Sequence, residues 1–304
     1  MTKEYKLPQP FVSIIIPVFN NIHGLERTLQ FIEKQIYSRD CFEVIVIDNG
    51  SEYSPDRICE EYSVIFLEEH VHLNSPYSAR NRGLEIAKGE IVVLLDTTCA
   101  PDEGWLKGGV SAIERGADLV GGNVVFDVNI NSSAGEIYDS LVNIKMKESI
   151  VNRNVAKTTN LFIRREVFNK IGWFPEGLRS GGDVRWTAKA TRSGFNLVFG
   201  NDATVYILPR GFQDVLKKQW RVAKGQPEIW KECGGLITGF IKKGVLCFIP
   251  PDPRSYRKIS IKEIILPRKK KVLVYLTAYF MRIVTGAGVL VGFYRIGRGQ
   301  RDGL

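Results

Sequence analysis

The chain has 304 residues, of which 44% are hydrophobic, 25% charged and 11% aromatic; this excludes a disordered polymer and leaves room for two packed units. Its net charge of +9 comes from 42 Lys and Arg against 33 Asp and Glu, and the excess is local. The stretch from Asp252 to Leu304 holds 12 of those basic residues and three of the acidic ones, so everything before it is neutral. Cys41, Cys59, Cys99, Cys233 and Cys247 are scattered without CxxC spacing, which argues against a disulfide framework or a zinc knuckle and for a reducing compartment. The three histidines, His23, His70 and His72, form no metal-like pattern with them. The opening residues MTKEYKLPQP contain no apolar run, so no signal peptide is expected and the catalytic or binding part is expected in the cytoplasm.

Val12 to Ile16 is a continuous β-branched, apolar run stopped by Pro17, which predicts a strand buried on both faces. Leu25, Leu29, Ile32 and Ile36 follow at helical spacing. Glu43 to Asp48 predicts a second buried strand ending in the turn Asn49, Gly50, Ser51. Val64 to Leu67 predicts a third strand, Pro76 to Lys88 a helix, and Glu90 to Asp96 a further strand. This alternation predicts an α/β fold, Rossmann-like, with a mostly parallel sheet and helices on both faces.

In such sheets ligands bind at the carboxyl edge of the strands, beside a topological switch point. Asp48 and Asp96 each follow an apolar run, so each must leave the core as its strand ends, on the same rim. The competing reading is that each merely starts a turn or caps the next helix. Neither a G-x-x-x-x-G-K-[ST] loop nor a G-x-G-x-x-G turn follows the first strand, where the residues are instead PVFNN from Pro17 to Asn21. That argues against a dehydrogenase or a P-loop NTPase. It leaves a nucleotide held by backbone and by acidic groups on base and ribose.

Several stretches, in order, resemble the family 2 glycosyltransferases, which use nucleotide-diphosphate sugars on a GT-A type fold. VSIIIPVFN from Val12 to Asn20 is similar to the family's opening strand and P-x-[YF]-N turn, and VIDNGS from Val46 to Ser51 to its second-strand motif. SARNRG from Ser78 to Gly83, with AKGE from Ala87 to Glu90, resembles its A-R-N-x-G helix. TNLFIRREVF from Thr159 to Phe168, GWF from Gly172 to Phe174 and GGD from Gly181 to Asp183 resemble its acceptor-side block. The match covers about residues 11 to 225 and implies a nucleotide-sugar-binding half (1–120), an acceptor-binding half (121–233) and a C-terminal region (234–304) outside the domain.

The resemblance implies roles. Asp48 would hydrogen-bond the nucleotide base, with Pro17, Phe19 and Asn20 lining its pocket; Arg80 and Asn81 would lie near the nucleotide; Asp96 would be the first acid of a D-x-D motif that holds ribose and metal-diphosphate. Here the run is Asp96, Thr97, Thr98, so Thr98 stands where a carboxylate ligates Mg²⁺ or Mn²⁺. Hard divalent ions prefer carboxylate oxygens, so metal binding through Asp96 is expected to be weakened or absent. By their cationic character alone, and not by the resemblance, Arg210, Arg221 and Lys224 are candidates for taking over part of the diphosphate charge. Asp183 would be the base that deprotonates the acceptor hydroxyl, while the local pattern alone favours an N-cap for a helix over about residues 184 to 193. Trp173 and Trp186 flank it as acceptor contacts or core, and Arg164 with Arg165 are expected to face solvent or to pair with Glu166 and the neighbours of Asp183, a solvated strand-to-helix junction being the competing reading.

The C-terminal region differs in texture. Pro250, Pro251 and Pro253 break the chain, and the basic run Arg268 to Lys271 leads into Val272 to Tyr294, where Arg282 is the one charged residue. Twenty-three helical residues reach roughly 34 Å, enough to span a bilayer. Arg282 near the centre, and Arg295, Arg298 and Arg301 beyond, count against a simple span. The expectation is a helix or helical hairpin, bent around Gly286, Gly288 and Gly292, on an anionic membrane surface at the cytoplasmic face. A buried terminal helix is the competing reading. Nucleic acid is not expected, because the basic residues flank an apolar block instead of alternating with base-reading positions. The whole predicts an inverting glycosyltransferase that uses a nucleotide-diphosphate sugar on a lipid-linked or polysaccharide acceptor. The alternative is a non-catalytic nucleotide-sugar-binding or scaffold protein, in view of Thr98.

Overall fold

Continuous β-branched runs that alternate with amphipathic stretches give a layered sheet. A computed structural model of the chain describes residues 9–232, 242, 244–254, 260–261 and 264–297. Its elements run β1 (Val12–Val18), α1 (Ile22–Ile32), β2 (Phe42–Asp48), α2 (Asp56–Glu61), β3 (Ile65–Glu68), α3 (Pro76–Ile86), β4 (Ile91–Leu95), β5 (Cys99–Pro101) and α4 (Trp105–Glu114). They continue with β6 (Leu119–Phe126), α5 (Ala134–Val142), α6 (Met146–Arg153), β7 (Asn160–Arg164), α7 (Arg165–Ile171), α8 (Gly182–Arg192) and β8 (Leu197–Ile207). The last are α9 (Phe212–Glu232), the short antiparallel pair β9 (Ser260–Ile261) and β10 (Ile264–Ile265), and α10 (Arg268–Gly297). Contacts group the chain into two units, Met1–Val125 with Ile144–Ile207, and Phe126–Asn143 with Leu208–Leu304.

The first unit is built on an eight-stranded mixed sheet of order β3-β2-β1-β4-β7-β6-β8-β5. The four strands β3, β2, β1 and β4 are parallel, while β7 runs antiparallel to both β4 and β6 and β5 runs antiparallel to β8. β1 is sandwiched between β2 and β4 and is almost wholly buried, so its apolar residues need no polar face. It continues past Pro17 to Val18, because pairing with β2 persists to Val18 opposite Asp48 while pairing with β4 stops at Ile15. Pro17 therefore sits where the strand is leaving one of its two ladders.

α1 buries Leu25, Leu29 and Ile32 and is capped by Asn21, whose side chain accepts from the Gly24 amide. The helix ends at Ile32, so Ile36, placed on its apolar stripe by spacing alone, lies beyond it and is exposed. α3 begins with Ser75 as cap and Pro76 in the first turn, a preferred pairing because neither position needs an intrahelical donor. Beneath α3 and α8, Tyr77, Phe168, Phe174 and Trp186 form an aromatic cluster with centroids 4.7 to 6.0 Å apart.

In the second unit Tyr138 of α5, Val215 of α9, and Ala278 and Met281 of α10 form a small core. α10 runs as one helix from Arg268 to Gly297, so the chain does not fold back into a hairpin at Gly286, Gly288 and Gly292. Those glycines serve close packing. A Cβ at Gly288 would stand 2.6 Å from that of Ala223, one at Gly292 would stand 2.4 Å from the Lys224 carbonyl oxygen, and one at Gly286 would stand 2.7 Å from that of Gly244. Arg282 donates to the Leu246 carbonyl at 2.9 Å. Arg298 and Arg301 lie outside the described residues.

Candidate active site

Strand order brings the two rim carboxylates together. β2 and β4 flank β1, so Asp48 at the end of β2 and Asp96 just after β4 stand on either side of the tip of β1, with the switch point between β1 and β4. Asp48 is buried, and both its oxygens face the Ser51 amide at 3.1 and 3.3 Å, so it does form the turn that its position also predicts. Asn20 adopts a left-handed φ of 49°; its amide donates to Ser51 Oγ and its Oδ1 accepts from the Glu52 amide, which locks the β1 turn to the β2 turn. Phe19, beside it, is half exposed. The Asn49 side chain is buried with no partner on Oδ1 among the described residues.

Asp96 is tied from two sides. Arg80 Nη2 pairs with Oδ1 at 2.6 Å, and the Thr159 hydroxyl donates to Oδ2 at 2.9 Å. The Arg80 side chain is almost completely enclosed, whereas that of Asp96 is 34% exposed. The following loop is fixed by Asn21, whose Nδ2 donates to Thr97 Oγ1 at 3.0 Å. Asn81 is buried and commits its amide to the backbone of Phe174, donating to the carbonyl at 2.9 Å and accepting from the amide at 3.1 Å.

The D-x-D position offers a divalent ion one carboxylate where the motif has two. Asp96 is the one carboxylate at the D-x-D position, Arg80 already neutralises it, and Thr98 supplies at most a neutral oxygen. Among the described residues no three His, Cys, Asp or Glu side chains cluster as metal ligands.

Asp183 lies in the first turn of α8. The helix starts two residues earlier than spacing predicts, and its cap is Gly181 at φ 79°, so Asp183 is not the N-cap. Its Oδ1 accepts from the Tyr77 hydroxyl at 3.0 Å and from the Val184 amide at 2.9 Å. The Arg80 guanidinium lies 5.8 Å from the Tyr77 ring centroid. Tyr77 and Arg80, three residues apart on one face of α3, thus connect Asp96 to Asp183. Burial, reinforced by the Asp183 charge, raises the Tyr77 hydroxyl far above its ordinary range and keeps it a proton donor. Burial also lowers the Lys157 ammonium, against the pull of Asp183. Lys157 is brought there by Thr187, one turn after Asp183, which accepts from the neighbouring Ala156 amide at 3.1 Å.

The flanking residues sort differently. Trp186 is core, with its indole N–H on the Gly172 carbonyl, whereas Trp173 is half exposed. Arg164 and Arg165 are not a solvated junction: Arg164 Nε donates to the Ala117 carbonyl at 3.0 Å, and Arg165 caps those of Gly89 and Ala87 at 2.6 and 2.7 Å. Arg210 belongs to the second unit, where it faces buried Asp139 at 3.7 Å; Arg221 and Lys224 lie on α9 of that unit. Sequence reasoning passed over Tyr77, Lys157 and the role of Thr159. The i, i+3 spacing of Tyr77 and Arg80 was the one available signal for the first of these.

The family model described as Glycosyl transferase family 2 matches residues 13–172. The chain is 44% identical over 226 residues to "Glycosyltransferase AglE" of Haloferax volcanii, covering 73% of this chain and 74% of that protein. It is 24% identical over 181 residues to "Glycosyltransferase GlyG" of Streptococcus pneumoniae, covering 53% and 58%. The fold is similar to that of the mannosyltransferase PcManGT from Pyrobaculum calidifontis, solved with GDP-Man and Mn²⁺. That likeness has a TM-score of 0.56 at 18% identity and covers 98% of this chain and 77% of the other. It is also similar to residues 1–349 of Staphylococcus aureus TarS with UDP-GlcNAc, at a TM-score of 0.51 and 19% identity over 96% and 93%. A GT-A-like mixed sheet, the motif order from β1 to α7 and the 44% identity agree, and the chain is a glycosyltransferase of family 2.

Proposed function

We propose that the protein transfers one sugar from a nucleotide-diphosphate donor to an acceptor hydroxyl with inversion, using Asp183 as base. The observation that supports this reading is the continuous path from Asp96 through Arg80 and Tyr77 to Asp183, which links the carboxylate after β4 to the one in the first turn of α8. In the reaction the acceptor O–H gives its proton to Asp183, the acceptor oxygen bonds the anomeric carbon, and the bond from that carbon to the diphosphate breaks with its electron pair. Asp48, Pro17, Phe19 and Asn20 would hold the base; Arg80, with Asn81 stiffening α3, would hold Asp96 in place against the ribose.

We place the acceptor at a membrane surface, cytoplasmic side, as a lipid-linked or polysaccharide chain. α10 is long and apolar enough to cross a bilayer by length and composition, and 39% of its apolar window is buried. Val274, Ala278, Met281 and Val289 face inward, while Val272, Leu273, Leu276, Phe280 and Tyr294 are exposed behind the basic run from Arg268 to Lys271. An apolar helix packed on one face and open on the other suits lying in an interface, with the basic run on anionic headgroups.

Thermal shift with UDP-glucose, UDP-N-acetylglucosamine and GDP-mannose, each with Mn²⁺ or EDTA, tests the donor site. Stabilisation by one donor, with turnover lost in Asp183→Asn and binding retained, is the expected result. Wild-type turnover in that variant removes Asp183 from the mechanism, and binding without turnover across donors and acceptors favours a non-catalytic nucleotide-sugar binder. Leu276→Glu with Phe280→Glu should lower co-sedimentation with anionic vesicles; unchanged binding refutes the membrane face.

A further inference from the structure

The geometry points to Tyr77 as a positioning residue for Asp183: by filling Oδ1 with its O–H it aims Oδ2 at the acceptor, and Gly182 is glycine so that the Tyr77 ring can stand there. The inference rests on Asp183 being the base. Oδ1 receives two donors, the Tyr77 hydroxyl at 3.0 Å and the Val184 amide at 2.9 Å, whereas Oδ2 has none among the described residues. A carboxylate so held cannot rotate without giving up both bonds, which leaves Oδ2 as the oxygen able to take a proton.

Gly182 supplies independent support. Its φ is not in the left-handed region, so backbone freedom is not why it is glycine; that reason applies to Gly181, at φ 79°. A Cβ on Gly182 would instead stand 2.8 to 3.0 Å from three atoms of the Tyr77 ring. The first turn of α8 is therefore shaped to the ring whose hydroxyl holds Asp183. On the other side the ring packs on Phe174 at 6.0 Å and lies beside Arg80, so it has little room to move.

Tyr77→Phe keeps the ring and removes the O–H. Release of nucleoside diphosphate from UDP-glucose, UDP-N-acetylglucosamine and GDP-mannose, with water as acceptor, gives kcat and KM, and calorimetry gives UDP and GDP affinity. For the donor that is turned over, kcat is expected to fall roughly 10- to 100-fold, since misplacing a reacting group by about 1 Å costs that order. KM and nucleotide affinity should stay near wild type. A structural role alone would weaken nucleotide binding together with kcat, because Arg80 is on the same helix. Wild-type kcat in Tyr77→Phe, with Asp183→Asn inactive, overturns this inference alone; wild-type kcat in Asp183→Asn overturns the assignment of the base and the inference with it. A thermal-unfolding cycle of Tyr77→Phe, Asp183→Ala and the double variant needs no donor. The double variant should lose less Tm than the two single losses combined, and strict additivity overturns the contact.

Discussion

Replacing Arg80 by Met removes the cation between α3 and the β4 rim while keeping most of its length. In the wild type the guanidinium donates to the Pro76 carbonyl at 3.0 Å and pairs with Asp96 at 2.6 Å. Removing one partner of a fully buried pair costs about 3–5 kcal/mol, mainly because the other charge is stranded. Asp96 is one-third exposed and keeps the Thr159 hydroxyl, so water and one hydrogen bond compensate part of that loss. A cost of about 2–3 kcal/mol is therefore expected, below the range for full burial. For a unit of this size that is roughly 5–10 °C in Tm. Differential scanning calorimetry measures it, with Arg80→Lys as control. Lys keeps the charge but cannot hold Pro76 and Asp96 with one planar fork, so it should fall between. A Tm within about 1 °C of wild type for Arg80→Met would refute the view that this pair anchors the rim.

Other consequences can be checked directly. Asn160 is fully buried and serves the Trp105 indole N–H at 2.9 Å and the Asn123 and Ala203 carbonyls at 3.1 and 2.9 Å. Asn160→Ala strands these groups and should cost about 3 kcal/mol by calorimetry, and a near-neutral result would contradict the network. Burial pushes the Cys59 thiol up to about 12 and raises that of Cys99 as well, so neither forms thiolate at pH 8. Mass spectrometry after brief iodoacetamide treatment of the native protein should find both unmodified. Lys157 is held below the ordinary lysine range, so the folded protein carries its charged form at a disadvantage at neutral pH. Between its folded pKa and that of the unfolded chain, the unfolded state binds more protons, so this group's contribution to stability rises with pH. The Tm difference between Lys157→Met and wild type should accordingly shift in favour of wild type from pH 7 to pH 10; the opposite trend would show that Asp183 outweighs burial.

The sequence on its own determined the strands from Val12 to Asp96, the alternation with helices, and the two carboxylates on one rim. Those rest on local periodicity and on the rule that a charge leaves the core where an apolar strand ends. The motif order also sufficed for the family. Strand direction beyond β4 was not legible, because the antiparallel β7 is nearly as buried as β4 beside it, which belongs to the parallel set, and a buried run carries no mark of direction. The hairpin weighed at three glycines does not form, for a related reason: a helical glycine reads as weakness in the sequence, and whether it is instead a contact depends on what lies opposite, here Ala223, Lys224 and Gly244. Tertiary structure alone decided what each polar group at the site faces. It put Arg80 on Asp96, Tyr77 on Asp183 and two arginines onto backbone carbonyls, because each pairing joins residues from different elements. Spacing along the chain specifies which side of an element a residue occupies, whereas its partner is set by the packing of that element against the next.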